Sequence, residues 1–221
     1  ILYAACDEFK PEPFNYFDNA KVKMAGQEVV ISRTGFTAEI GWEYYVSPKT
    51  DTDLLWNHLM SIGEKYGLIH SGLDSMDIRR IEAGIMNSGS DFDLTMNPYQ
   101  VGLGKFIDLN KDQFIGKEAL EIAPKEKVIL GVLCDKSEPM VLGEVSVNGE
   151  NIGLITAAAW SPYLNSGIGY VRLVDTKHKF EKKIEIYGID GIKHTAKLIE
   201  LPFYDKEKKI PRGLKFREPI N

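Results

Sequence analysis

A carboxylate standing just past a glycine-punctuated turn is the group in this chain best placed to do chemistry. Glu43 follows Ser32–Trp42, which reads SRTGFTAEIGW. An ionised glutamate accepts hydrogen bonds on both oxygens. Gly35 and Gly41 either take positive φ or let a ligand come close to the backbone. The residues leave two readings open: an ordinary β-connection with a solvated glutamate, or a binding loop. Arg80 comes second, with Asp77 one helical turn before it, a spacing that makes an i,i+3 ion pair. Asp91 and Asp93 form a carboxylate pair in a loop, where Asp residues more often hold a turn or stay solvated. His70, His178 and His194 are scattered without metal-ligand spacing, and no metal is expected. Gly102-Leu103-Gly104 lacks the rest of a dinucleotide fingerprint, and no phosphate-binding loop is present. No catalytic residue is assigned, because a triad is recognised by geometry and not by spacing.

The elements that must position these groups follow from periodicity. Glu28–Arg33 and Trp42–Val46 read as strands rich in β-branched and aromatic residues, the second ending before Pro48. Asp51 opens a helix with Leu54, Leu55, His58, Leu59, Ile62 and Tyr66 on one face and Gly67 at its end. His58 on that face is expected to be a packed histidine, not a ligand. A second helix is expected from Ser75, as N-cap, to Ala83 or Met86. A short helix around Gln113–Leu120 leads to a linker at Pro124–Lys127. Beyond Val128 the pattern turns to period two. Asn148-Gly149 and Asp190-Gly191 mark two hairpins, the second between Ile184–Tyr187 and Lys193–Ile199. The expected domains are residues 1–122, α+β, and residues 126–205, a small β-barrel, with a solvated basic tail at 206–221.

With 221 residues, 43% of them hydrophobic and 27% charged, the chain is of globular composition and long enough to bury a core. A net charge of −5 argues against a nucleic-acid partner. No apolar run reaches the length of a membrane span. Cys6 and Cys134 have no nearby cysteine partner, which fits a reducing compartment, so a cytoplasmic location is expected.

The chemistry-bearing run closely resembles a family signature. Ser32-Arg33-Thr34-Gly35-Phe36-Thr37 with Glu39, Gly41 and Glu43 is similar to the SRTGYTGExGxE motif of the glycine-cleavage T-protein family, the folate-dependent aminomethyltransferases. Gly72-Leu73, Asp77 and Arg80-Ile81-Glu82-Ala83-Gly84 resemble its GLxxxDxxRLEAG. Gly167-Ile168-Gly169-Tyr170 and Leu201-Pro202-Phe203-Tyr204 continue the likeness in order. The resemblance implies the C-terminal part of a folate-binding domain, a mixed sheet with helices, followed by a small all-β barrel. It implies transfer of an aminomethyl or methyl group from a small-molecule one-carbon donor to tetrahydrofolate, with a lipoyl carrier protein as a further partner.

By that resemblance Glu43 accepts from the pterin, Arg80 lies at the folate site, and Trp42 and Phe36 supply apolar surface. Phe36 stands where the motif has tyrosine, Met76 where the GLGARD pattern has arginine, and Ser88 where many members have tyrosine. The substrate side of the pocket is therefore expected to differ from that of a glycine-cleavage enzyme. Two other readings stay open. One is a demethylase relative, such as a dimethylsulfoniopropionate demethylase or the folate domain of a dimethylglycine or sarcosine dehydrogenase. The other is a folate-binding module without turnover. The family's N-terminal segment, with its catalytic aspartate, has no counterpart here. The chain is thus expected to be the C-terminal portion of a longer protein, with that segment as its partner.

Overall fold

The computed structural model describes residues 1–179 and 181–218. They form two compact units: residues 1–76 with 207–218, and residues 77–206.

The first unit opens with a short helix, α1 (Leu2–Ala5), followed by the strands β1 (Asn19–Met24), β2 (Gln27–Ser32) and β3 (Glu43–Tyr45). The strands pair antiparallel in the order β1-β2-β3, so helix and sheet mix in this region while the sheet itself is antiparallel. Val22, Met24, Val29 and Ile31 turn to one face, where they pack with Leu2, Phe14 and Leu55. Leu55 comes from α2 (Thr52–Glu64). Asp51 caps that helix by accepting from the Leu54 amide, and Gly67 ends it at φ +74°. His58 is half-buried and bonds the Ala5 carbonyl at 2.9 Å, a packed histidine as expected. Leu54 and Tyr66 depart from expectation and are exposed. Leu55 occupies the centre of the buried stripe, so its neighbour Leu54 turns about 100° away.

The helix expected to be capped at Ser75 is α3 (Leu73–Glu82), and Ser75 lies inside it. The Ser75 hydroxyl donates to the Gly72 carbonyl at 2.7 Å, a local bond that replaces capping. The tail expected to be solvated is instead folded over residues 207–218, with Ile210 and Pro211 buried in the first unit. Residues 219–221 of that tail lie outside the described ones.

In the second unit α4 (Lys117–Ile122) precedes six strands. These are β4 (Ile129–Cys134), β5 (Glu144–Val147), β6 (Glu150–Ser161), β7 (Ser166–Leu173), β8 (Ile184–Tyr187) and β9 (Lys193–Ile199). They close into an antiparallel barrel, β4-β7-β6-β5-β8-β9, with β9 back on β4. Asn148 and Gly149 both take positive φ at the β5–β6 turn, as a two-residue hairpin requires. Alternate residues of β4 serve two cores. Leu130, Val132 and Cys134 fill the barrel, while Ile129 and Leu133 join Ile81, Ile168 and Tyr170 outside it. Strands covered on both faces read as unbroken apolar runs, which accounts for the sequence of β4. No helix among the described residues is long and apolar enough to cross a membrane.

Candidate functional site

The β2–β3 register places Ser32 opposite Glu43. Directly opposed residues share a face of the sheet, and so do residues two apart on one strand. Ser32, Thr34, Glu43 and Tyr45 therefore gather their polar groups together. Thr34 donates its hydroxyl to Glu43 Oε2, and the Tyr45 hydroxyl reaches the same oxygen at 3.3 Å. The Ser32 and Thr34 hydroxyls lie 3.0 Å apart. Glu43 Oε1 takes no hydrogen bond among the described residues, and the side chain is exposed. One carboxylate oxygen is thus fixed by the protein and the other is offered outward. Tyr16 lies near enough to feel this site: burial pushes its phenol above the ordinary value, Arg33 opposes that, and Glu43 adds to it.

The loop before Glu43 contains no helix or strand from Thr34 to Trp42. Gly35 and Gly41 are not in the left-handed region; Ala38, at φ +54°, takes that turn instead. Around Gly35 a Cβ would meet nothing within 4 Å, so the alternative use of a glycine, room for something to approach, is the one retained. Phe36 is half-buried in this loop. Trp42 is half-buried as well, packed on the β1–β2 core with the Arg33 guanidinium 5.3 Å from its ring centroid. Its ring thus takes the packing alternative. Its indole N–H is buried without an acceptor.

Arg80 belongs to the second unit and looks inward. Its side chain is 6% exposed and pairs with Asp77 at 2.5 Å and Asp91 at 2.7 Å, and it donates to the Ile85 carbonyl at 3.3 Å. Burial alone would lower its pKa, but the hydrogen bond to Asp77 and the charges of Asp91 and Asp77 outweigh that and raise it. Asp91 is fully buried and also accepts from the Asn87 amide at 2.7 Å. Burial pushes the Asp91 carboxyl up by more than Asn87 and Arg80 pull it down. The Arg80 fork closes the Asn87–Phe92 loop onto helix α3, which is the ion-pair reading with a second carboxylate added.

The rest of the Arg80–Gly84 run is just as internal. Ile81 is wholly buried, and Glu82, also wholly buried, accepts from Ser161 at 2.6 Å and from Arg79 at 3.2 Å. Tyr170 directs its hydroxyl at the carbonyls of Arg80, Ile81 and Ile85, at 3.0, 3.0 and 3.1 Å. Burial holds that phenol far above its ordinary pKa, so it remains a donor. Gly84 sits at φ +69°, where a Cβ would come within 3.1 Å of the Pro202 Cα.

Glu43, Trp42 and Phe36 therefore share the first unit, while Arg80 lies in the second. Sequence reasoning missed Thr34 and Tyr45, although the period of two, counted from Ser32 and Glu43, marks both. Among the described residues no group of three or more His, Cys, Asp or Glu is arranged to hold a metal ion.

Comparison with known proteins bears on both units. Residues 1–111 match the model of the GCVT N-terminal domain, and residues 127–205 match the glycine cleavage T-protein C-terminal barrel domain. An aminomethyltransferase of Caldanaerobacter subterraneus subsp. tengcongensis is 35% identical over 214 residues, 95% of this chain and 56% of that protein. A trimethylamine-oxide aldolase of Ruegeria pomeroyi is 31% identical over 96% of this chain and 28% of its own length. The crystal structure of the glycine cleavage system aminomethyltransferase T from Bartonella henselae superposes with a TM-score of 0.74. It is 22% identical, with 88% of this chain and 54% of that one covered, and speaks for the fold. The chain spans about half the length, or less, of the curated relatives it matches. It belongs to the glycine cleavage T-protein family.

Proposed function

We propose that this T-protein family chain is the part of a folate-dependent one-carbon transferase that receives the pterin, with Glu43 as its acceptor. The observation that carries the reading is the division of labour on the Glu43 carboxylate. Thr34 and Tyr45 fix Oε2, and Oε1 has no partner among the described residues. A carboxylate held by one oxygen and open at the other suits a ligand edge that presents adjacent N–H groups, and hydrogen bonds to a charged acceptor are the stronger kind. The open space at Gly35 and the half-buried Phe36 beside it suit the flat ring that carries those groups.

Bound tetrahydrofolate would supply the amine nitrogen that takes up the one-carbon unit. What falls to these residues is to bind and orient: Glu43 accepts, Thr34 and Tyr45 keep the carboxylate from rotating, and Arg80 holds the second unit's loop by its ion pairs. Holding the reactants in register is the larger part of such catalysis. A small-molecule donor and a lipoyl carrier protein are the partners this reading implies. The cytoplasm is its compartment, in keeping with the free, buried Cys6 and Cys134.

A second reading concerns the donor. Met76, 38% exposed, stands where the motif resembled by this chain has arginine, so a cationic side chain is replaced by an apolar one. That favours a methylated amine over an aminomethyl donor, and the relative named as a trimethylamine-oxide aldolase points the same way.

Calorimetric titration of the full-length protein with tetrahydrofolate tests the acceptor. Glu43→Gln turns one acceptor into a donor, and the affinity is expected to fall about ten- to a hundredfold. An unchanged affinity would restore the solvated glutamate.

A further inference from the structure

Twelve residues far along the chain reach back to the loop that presents Glu43. Arg33, directly before that loop, donates from Nη1 to the Phe14 carbonyl at 3.1 Å and from Nη2 to the Pro211 carbonyl at 3.2 Å. Within the loop, Glu39 Oε1 meets Arg217 Nη1 at 3.0 Å. That pair is largely withdrawn from water, its side chains 10% exposed on Arg217 and 29% on Glu39. Residues 207–218 are themselves turned into a compact shape. Gly213 donates to the Ile210 carbonyl, Leu214 to that of Lys209, and Arg212 to those of Lys208 and Glu207. Ile210 and Pro211 seat the segment by burial.

We infer that Glu207–Glu218 is a strap and that Arg33 and Arg217 are positioning residues for the Glu43 loop. The loop needs such residues because Thr34–Trp42 contains no helix or strand to set its course. Arg33 fixes its entry and Arg217 its middle, four residues before Glu43. Both arginines act through charge-assisted hydrogen bonds, the stronger kind, at sites partly or largely out of water. A loop that holds its binding geometry only part of the time loses apparent affinity in proportion to that fraction. The ligand part of this inference rests on the folate reading above; the positioning part does not.

The test uses the full-length protein with Arg217→Gln and, as a rescue, Arg217→Lys, which keeps the charge for the ion pair with Glu39. Glu39→Gln approaches the same pair from the other side should Arg217→Gln not fold. Amide hydrogen exchange over residues 34–42 is read without ligand, and the tetrahydrofolate affinity is read by titration. Arg217→Gln is expected to speed exchange in 34–42 about tenfold, leave β4–β9 unchanged and weaken binding about tenfold, as a fall of the competent geometry to a tenth would. Arg217→Lys should return both values toward wild type. Unchanged exchange in 34–42 in both neutral variants overturns the strap. Faster exchange in a protein whose wild type does not bind tetrahydrofolate upholds the strap and overturns the folate reading.

Discussion

The two sequence runs most readily recognised in this chain do opposite jobs. Ser32–Glu43 ends in an exposed carboxylate with an unengaged oxygen, in a loop steadied from outside. Arg80–Gly84 turns its charges inward, Arg80 to Asp77 and Asp91 and Glu82 to Ser161. On a list of letters both are charged residues among glycines. Burial separates them: a charge kept wholly out of water must be paired by the protein, so it is committed to the fold, whereas a charge at the surface remains available.

That contrast breaks if the inward run tolerates change. Asp91→Ala is expected to lower the stability of the second unit by about 3 kcal/mol, at the low end for a broken buried pair because Asp77 still serves Arg80. Chemical denaturation measures it, and the same experiment on Glu43→Gln should show a shift within about 0.5 kcal/mol. Equal losses would erase the distinction. Gly84→Ala should cost about 2 kcal/mol, since left-handed backbone and the nearby Pro202 both resist a Cβ. Tyr170→Phe should cost about 1 kcal/mol, modest because the Arg80 and Ile81 carbonyls also accept from Ile85 and Gly84 amides.

The smallest effect sharpens the comparison through pH. The side chain and amide of Thr95, then Arg172, hold the exposed Asp93 carboxyl down at about 2, against an ordinary 3.8. Its folded pKa is lowered, so its contribution is present above 3.8 and is lost as pH falls toward 2. Asp93→Asn should flatten the stability profile in that window and leave it unchanged at neutral pH relative to its own plateau. Thermal melts between about pH 5 and 2 decide it.

Legibility followed the range of the interaction. The hairpins at Asn148-Gly149 and Asp190-Gly191 were readable because the turn residues carry their own backbone preference. The Asp51 cap was readable for the same reason. Leu54 was misplaced because a helix face is chosen by what packs on it, and Leu55 took the centre; Tyr66 was misplaced because the helix stops at Glu64. Arg80 kept its local partner Asp77, yet Asp91, eleven residues on, converted it from an exposed pair into a buried one. The contacts of Arg33 with Pro211 and of Arg217 with Glu39 span 178 residues each and leave no periodic trace.

The Tyr170 hydroxyl has a consequence for the order in which the chain can become stable. Ten residues of helix are marginal in water by themselves, and α3 spans only Leu73–Glu82. The carbonyls near its C-terminal end meet the hydroxyl of a strand residue some 85–90 positions later in the chain. Until β6 and β7 are placed in the barrel, that end lacks the Tyr170 hydroxyl and Glu82 lacks Ser161. The last turn of α3 should therefore acquire its protection against exchange together with the barrel strands, and damage to β7 should be heard first as fraying at Arg80–Gly84.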